Sequence, residues 1–220
     1  MSQNTSSAVM QQRSEPHDSL DDFPTQPWGT RALCTYVLSG CYLNSKTVWE
    51  PTCNRGHMVN PLGEFFSAVW ASDIHDYGME GAFQHDFLMP YLPHVMKWSG
   101  TEIDWIIANP PFRLAEQFIG RALDIATEGV AMIVRTSFLE GVGRYENLFS
   151  KNPPSIVAQF SERVPMVKGR LTATGSTATS YCWLVWLKGV TTTKLVWIPP
   201  CRKKLERADD YAAYRDEVAA

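Results

Sequence analysis

The nine residues from Asp104 to Phe112, DWIIANPPF, constrain the fold more than any other stretch of the chain. Trp105, Ile106, Ile107 and Ala108 form an unbroken apolar run of the kind that fills the middle of a sheet buried on both faces. Asn109, Pro110, Pro111 and Phe112 then stop that run at an edge a ligand can reach. The two prolines fix φ twice and bias Asn109 away from helical backbone, so its side-chain amide and the Pro110 carbonyl are held facing one direction. Two acceptors placed in this way can receive both hydrogens of one NH2 group, and Phe112 offers an apolar face to a flat ring. An ordinary Pro-Pro strand exit with a core phenylalanine would use the same four residues.

The rest of the chain supplies enough apolar material for one enzyme-sized core, with 45% hydrophobic residues in 220. The formal charge of -3 does not announce a nucleic-acid binder, although local basic surfaces act despite a slightly acidic total. Cys34, Cys41, Cys53, Cys182 and Cys201 are odd in number and lack paired zinc-ligand spacing, so no metal site is expected. No basic leader precedes an apolar segment and no apolar run reaches membrane-spanning length, which points to a cytoplasmic setting without a membrane partner.

Residues 1–20 are polar and read as a flexible tail, His17, Asp18 and Asp21 offering only a loose acidic and histidine cluster. Order is expected from DDFPTQPW, where Phe23, Pro24 and Thr25 make a stiff entrance to a helix that starts at Pro27. In KTVWEPTCNRGHM, Thr47 to Trp49 read as a buried strand with Glu50 at its end and Thr52 to Gly56 as a tight turn. Such a turn brings backbone donors close to a ligand, and Asn54 can take positive φ there because its short side chain bonds locally. No lysine and hydroxyl pair follows a glycine run, so an ATP-binding P-loop is not expected. His57 reads as a structural histidine. A second strand ends at Asp73, a carboxylate suited to two ribose hydroxyls, with Ile74 beside it; Asp86 in QHDFL could accept from an adenine amino group, with Phe87 as an apolar wall. Strand patterns near residues 47, 69, 84, 103, 129, 156 and 181 alternate with helices or loops. That alternation predicts an α/β domain of three layers over residues 21–199, followed by a helix or tail over 200–220.

Taken as a set, these stretches resemble the small class I S-adenosylmethionine-dependent methyltransferases, and within them the phage-like DNA adenine N6 methyltransferases. EPTCNRG looks like their cofactor turn, NPPF like their catalytic motif, and SFLEGVGRYENLF with YCWLVWLKG like their distal half. The resemblance implies a Rossmann-like α/β/α fold around a central, mostly parallel sheet of seven strands. It implies S-adenosyl-L-methionine as cofactor, held by Phe23, Pro24, Thr25, Glu50, Cys53, Asn54, Gly56, Asp73 and Ile74, with Asp86 and Phe87 on the adenine side. Asn109, Pro110, Pro111 and Phe112 then match the target-amine site without substitution. Asn54 departs from the usual glycine-rich turn, and no large target-recognition domain is present. The activity implied is methyl transfer to adenine N6 in DNA, in the host cytoplasm if the chain is phage-encoded. An RNA base, adenine or guanine, or a protein glutamine would suit the same amine clamp, and so would a non-catalytic binding role on the same fold. The segments 141–155 and 163–180 read as a DNA-facing surface, with Arg144, Lys151, Arg163, Lys168 and Arg170 as phosphate contacts.

Overall fold

A computed structural model of the protein describes residues 21–100, 102–175 and 177–212. The tail expected over 1–20, with His17 and Asp18, lies outside the described residues, as does the chain from 213 onward.

Among the described residues eight strands form one sheet: β1 (Thr47–Glu50), β2 (Ala68–Asp73), β3 (Phe83–Gln84), β4 (Trp105–Ala108), β5 (Gly129–Arg135), β6 (Ile156–Phe160), β7 (Tyr181–Leu187) and β8 (Lys194–Ile198). Their spatial order is β3-β2-β1-β4-β5-β7-β6-β8. Of these, only β7 is antiparallel, to β5 on one side and β6 on the other. The seven strands expected are all present, and β8 adds an eighth at the edge, parallel to β6. Leu195 and Trp197 of β8 stand exposed, and only Ile198 at its end is fully buried, so the strand shows little burial pattern.

Alternation along each central strand divides its side chains between two apolar layers, which is why these strands read as continuous hydrophobic runs. Val48, Trp105, Ile107, Ala131, Ile133, Trp183 and Val185 point into the layer covered by α1 (Pro27–Ala32) and α2 (Val59–Leu62). Trp49, Ile106, Ala108, Val130, Met132 and Leu184 point into the opposite layer. That layer is covered by α3 (His94–Ser99) and α4 (Ala115–Ile125), with Met96, Phe118, Ile119 and Ala122 in contact. The buried face of α4 uses Ala115, Phe118, Ile119 and Ala122, at the spacing of one helical stripe. At the start of β5 a Cβ on Gly129 would lie 2.6 Å from the Trp105 ring, so glycine permits the close packing of β5 on β4.

Pro27 occupies the first turn of α1, where its missing N–H costs nothing, and the helix runs on into a π-helical turn over Leu33–Val37. Beyond β5 the chain makes a short helix α5 (Val142–Arg144), and beyond β8 another, α6 (Arg202–Leu205), before a final turn over Ala208–Asp210. Strand order reverses between β1 and β4. In a sheet of this kind the carboxyl edge at the reversal opens a crevice, the natural place for a ligand.

Candidate active site

The crevice is a cavity of about 480 Å³ above the carboxyl ends of β1, β2 and β4. Glu50, Cys53, Asn54, Asp73, Ile74, Asp86 and Phe87 line one side, Asn109 and Pro111 another, and Phe23, Pro24 and Thr25 a third. Residues far apart in the chain thus meet at one sheet edge because parallel strands point their ends the same way.

The acidic side is built by three strand ends. Glu50 is 1% exposed; its Oε1 accepts from the Thr52 N–H (3.0 Å) and hydroxyl (2.7 Å), whereas Oε2 is buried without a partner. Burial pushes its carboxyl up to about 8, against the opposing pull of the Thr52 hydrogen bonds and with a further push from Asp73. Asp73 accepts from the backbone of Asn54 (3.0 Å) on one oxygen and of His75 (3.1 Å) on the other, and burial still raises its pKa. Each carboxylate oxygen has a second lone pair, so Asp73 keeps capacity for two more donors. Asp86 spends Oδ1 on the Leu88 N–H at 2.9 Å. Ile74 is 60% exposed beside these acids, an apolar surface turned to the cavity.

The turn between β1 and α2 takes the shape its residues predict. Asn54 adopts φ +50° and its Oδ1 accepts the Arg55 N–H at 2.7 Å, the local bond that makes a left-handed asparagine tolerable. Gly56, at φ +91°, does not line the cavity; a Cβ there would meet Met79 at 3.1 Å, so it shapes the turn from behind.

On the opposite side Asn109 follows β4 directly. Its Nδ2 donates to the Phe23 carbonyl at 2.8 Å, which orients the amide and leaves Oδ1 as the acceptor presented. The Phe112 N–H donates to Asp21 Oδ2 at 2.9 Å. Asp22 accepts from Asn54 Nδ2 (2.7 Å) and Arg55 (3.2 Å), and its carbonyl takes the Gly169 N–H at 2.8 Å. The entrance segment is therefore a strap that ties the β1 turn, the NPPF turn and the loop before β7 together. Pro110 and Phe112 line a second, smaller cavity of about 160 Å³, together with Arg135, Phe138 and Arg144. The expectation of an open Phe112 face is corrected here: Phe23 lies 5.3 Å from its ring and the Arg135 guanidinium 4.0 Å.

No family model and no curated protein sequence matches this chain. Solved structures do. The RNA methyltransferase candidate PH1948 of Pyrococcus horikoshii aligns over 82% of this chain and 95% of its own, at 14% identity and a TM-score of 0.56. The modification subunit of a candidate type I restriction enzyme from Vibrio vulnificus YJ016 aligns over 90% of this chain, at 12% identity and TM-score 0.56; this chain spans 53% of that subunit. Atu636 of Agrobacterium tumefaciens, an O-methyltransferase by prediction, aligns over 80% of this chain and 86% of its own, at 12% identity and TM-score 0.50. The fold is that of the class I methyltransferases.

Within this fold several residues at the cavity had no signal in the sequence: Pro51, Tyr77, His85 and Leu114 all line it, beside Asp21 and Thr52 of the expected entrance and turn. Leu114 precedes α4, is 38% exposed and lines the cavity, whereas the buried stripe of the helix is Ala115, Phe118, Ile119 and Ala122. Burial pushes all five thiols up, the opposite of an activated nucleophile. Among the expected phosphate contacts, Lys151, Lys168 and Arg170 stand exposed. Arg144 is corrected: its guanidinium bonds to Glu116 (3.1 Å), to the carbonyls of Phe138 (2.8 Å) and Glu140 (2.5 Å), and covers the Phe138 ring at 4.0 Å. It anchors the segment after β5 instead of presenting a charge. Arg163, though exposed, is held by the Ala178 carbonyl and the Ser180 hydroxyl.

Proposed function

We propose that this protein is an S-adenosylmethionine-dependent methyltransferase acting on the exocyclic amine of a nucleobase, adenine N6 in DNA being the reading that its NPPF turn supports. One observation carries the proposal: the Asn109 amide is locked by Phe23 so that its oxygen, not its nitrogen, is offered. A group that must position an NH2 needs an acceptor, and a free asparagine would present either atom.

The cavity fits the cofactor. Its volume of about 480 Å³ lies within the range of small-molecule sites, roughly 300–1,000 Å³. Asp73 has acceptor capacity for ribose hydroxyls, Asp86 for an adenine amine, and Ile74 an apolar face for the ring. Glu50 Oε2, buried and without a partner, marks the side of the cavity where a cationic amino group would be welcome. When bound, S-adenosylmethionine supplies an electrophilic methyl group. Asn109 Oδ1 and the Pro110 carbonyl would hold the two amine hydrogens, turning the nitrogen lone pair toward that methyl and stabilising the charge that builds on nitrogen. Phe112 would stack on the base, which in a duplex must first leave the helix. Lys151, Lys168 and Arg170 would contact phosphates around it.

An RNA base is the second reading, since the same acceptor pair would hold its amine and the RNA methyltransferase candidate shares the fold as fully as the modification subunit, at a TM-score of 0.56 each. Transfer of label from S-adenosylmethionine to separate DNA, RNA and protein pools, with the modified residue identified by mass spectrometry, tests both. Label on adenine N6 of DNA supports the main reading, label on an RNA base the second. Label only on protein glutamine, or cofactor binding without transfer, overturns the nucleobase proposal.

A further inference from the structure

The proposed base platform is already covered. Arg135 is exposed at the carboxyl end of β5, yet its guanidinium lies 4.0 Å over the Phe112 ring, close enough for direct stacking. It also offers a hydrogen bond to the hydroxyl of buried Tyr181, its register partner on β7. Phe23 meets the Phe112 ring as well, at 5.3 Å. Of these two covers only one can leave cheaply. Phe23 sits in the strap, whose backbone takes the Asn109 bond and whose neighbours Asp21 and Asp22 bond to Phe112, Asn54 and Arg55. Arg135 gives up one side-chain bond, to Tyr181, and rotates toward solvent.

We infer that Arg135 is the resting occupant of the base seat: its guanidinium covers Phe112 in the free protein and gives way when a planar base enters. This rests on the nucleobase reading above and adds to it a residue that competes with the base for its seat. A guanidinium is flat, delocalised and content against an aromatic face, so it substitutes for a base without closing the site permanently. Any ligand must outcompete it, and the displacement cost is common to all bases. Arg135 thereby weakens the stacking of every base alike and leaves discrimination among them to contacts at Asn109.

The test uses the full chain saturated with S-adenosylhomocysteine, so that nucleosides cannot occupy the cofactor cavity, and equilibrium dialysis of labelled 2′-deoxyadenosine and 2′-deoxycytidine. Removing a cation from an exposed aromatic face is worth about 0.5–1 kcal/mol, so Arg135→Ala is expected to tighten binding of both nucleosides by about two- to fivefold. In a Phe112→Ala background the same substitution is expected to change nothing. Unchanged or weaker binding in Arg135→Ala, with Phe112→Ala still impairing nucleoside binding, overturns the resting-occupant inference and leaves the base platform standing. If Phe112→Ala leaves nucleoside affinity intact, the platform itself is wrong and both readings fall.

Discussion

Two buried ionisable groups, Arg31 on α1 and Glu50 at the end of β1, are treated in opposite ways. Arg31 is 5% exposed and every nitrogen is used: Nε donates to Glu64 (2.9 Å), Nη1 to Asp210 (2.8 Å) and the Leu205 carbonyl (2.9 Å), Nη2 to Asp210 (2.7 Å). Burial pulls its pKa down, and the bonds to Asp210 and Glu64 more than offset that pull. Glu50, at 1% exposed, has one oxygen filled and one empty, and burial raises its pKa. The first arrangement closes the protein on itself, fastening the chain after β8 to α1. The second leaves capacity unfilled beside a cavity, which costs stability and would serve the proposed cofactor. Burial of an ionisable group alone therefore does not mark a binding site; an acceptor left unfilled beside the cavity is what the proposed cofactor would use.

The largest effect that would sharpen this contrast is at Asp210. Asp210→Ala leaves Arg31 buried with Glu64 as its one charged partner beside the Leu205 carbonyl, and removing one partner of a buried pair costs about 3–5 kcal/mol. Urea unfolding should show it, with cofactor affinity of the remaining folded protein intact; a loss below about 1 kcal/mol would make the network ornamental. Asp73→Ala is expected to do the reverse, keeping the fold while weakening S-adenosylmethionine binding by about 1.5–3 kcal/mol, the worth of hydrogen bonds to a charged acceptor. Calorimetry on the folded variant reads this, and unchanged affinity removes Asp73 from the cofactor.

Glu50→Gln probes the unfilled oxygen itself. The folded pKa of about 8 lies above the ordinary 4.5, so the folded protein holds a proton that the unfolded chain releases. Stability of the unliganded wild type should thus fall as pH rises from about 4.5 to 8, and Glu50→Gln should flatten that fall. Above a pH of about 8 the variant is expected to melt higher, by about 2–4 °C if the gain is on the order of 1 kcal/mol. Parallel melting profiles for the two proteins would mean Glu50 is not strained. The smallest effect is expected at the exposed loop. Lys168→Ala with Arg170→Ala should weaken nucleic-acid binding evenly across sequences and lower its salt slope by roughly one for each phosphate that goes unneutralised. An unchanged slope would make that loop structural.

The same physics decides how far the sequence could be read. Strand ends announce themselves because a buried apolar run must stop, so Glu50, Asp73 and Asn109 could be placed on one edge before any geometry. The Asn54 turn was legible because few residues accept φ near +50°. β8 was hidden, since Leu195 and Trp197 face solvent and carry no burial pattern. The strap could be named as an entrance but its bonds could not, because Asp21, Asp22 and Phe23 meet partners 32 to 91 residues away. Arg135 and Arg144 show the limit most clearly: both are arginines at or beyond the end of β5, and only their neighbours decide that one covers Phe112 while the other anchors Phe138 and Glu116.

The most direct test is single-turnover methyl transfer from labelled S-adenosylmethionine to adenine-containing DNA, with matched RNA and adenine-free DNA, for wild type and Asn109→Ala. Asn109 would hold the amine and stands across the cavity from the acidic side, so the variant should keep its fold and most of its cofactor affinity. Misplacing a reacting group by about 1 Å costs roughly 100-fold in rate, and a loss of that order at adenine N6 is the expected result. Turnover at the wild-type rate by Asn109→Ala would contradict the account.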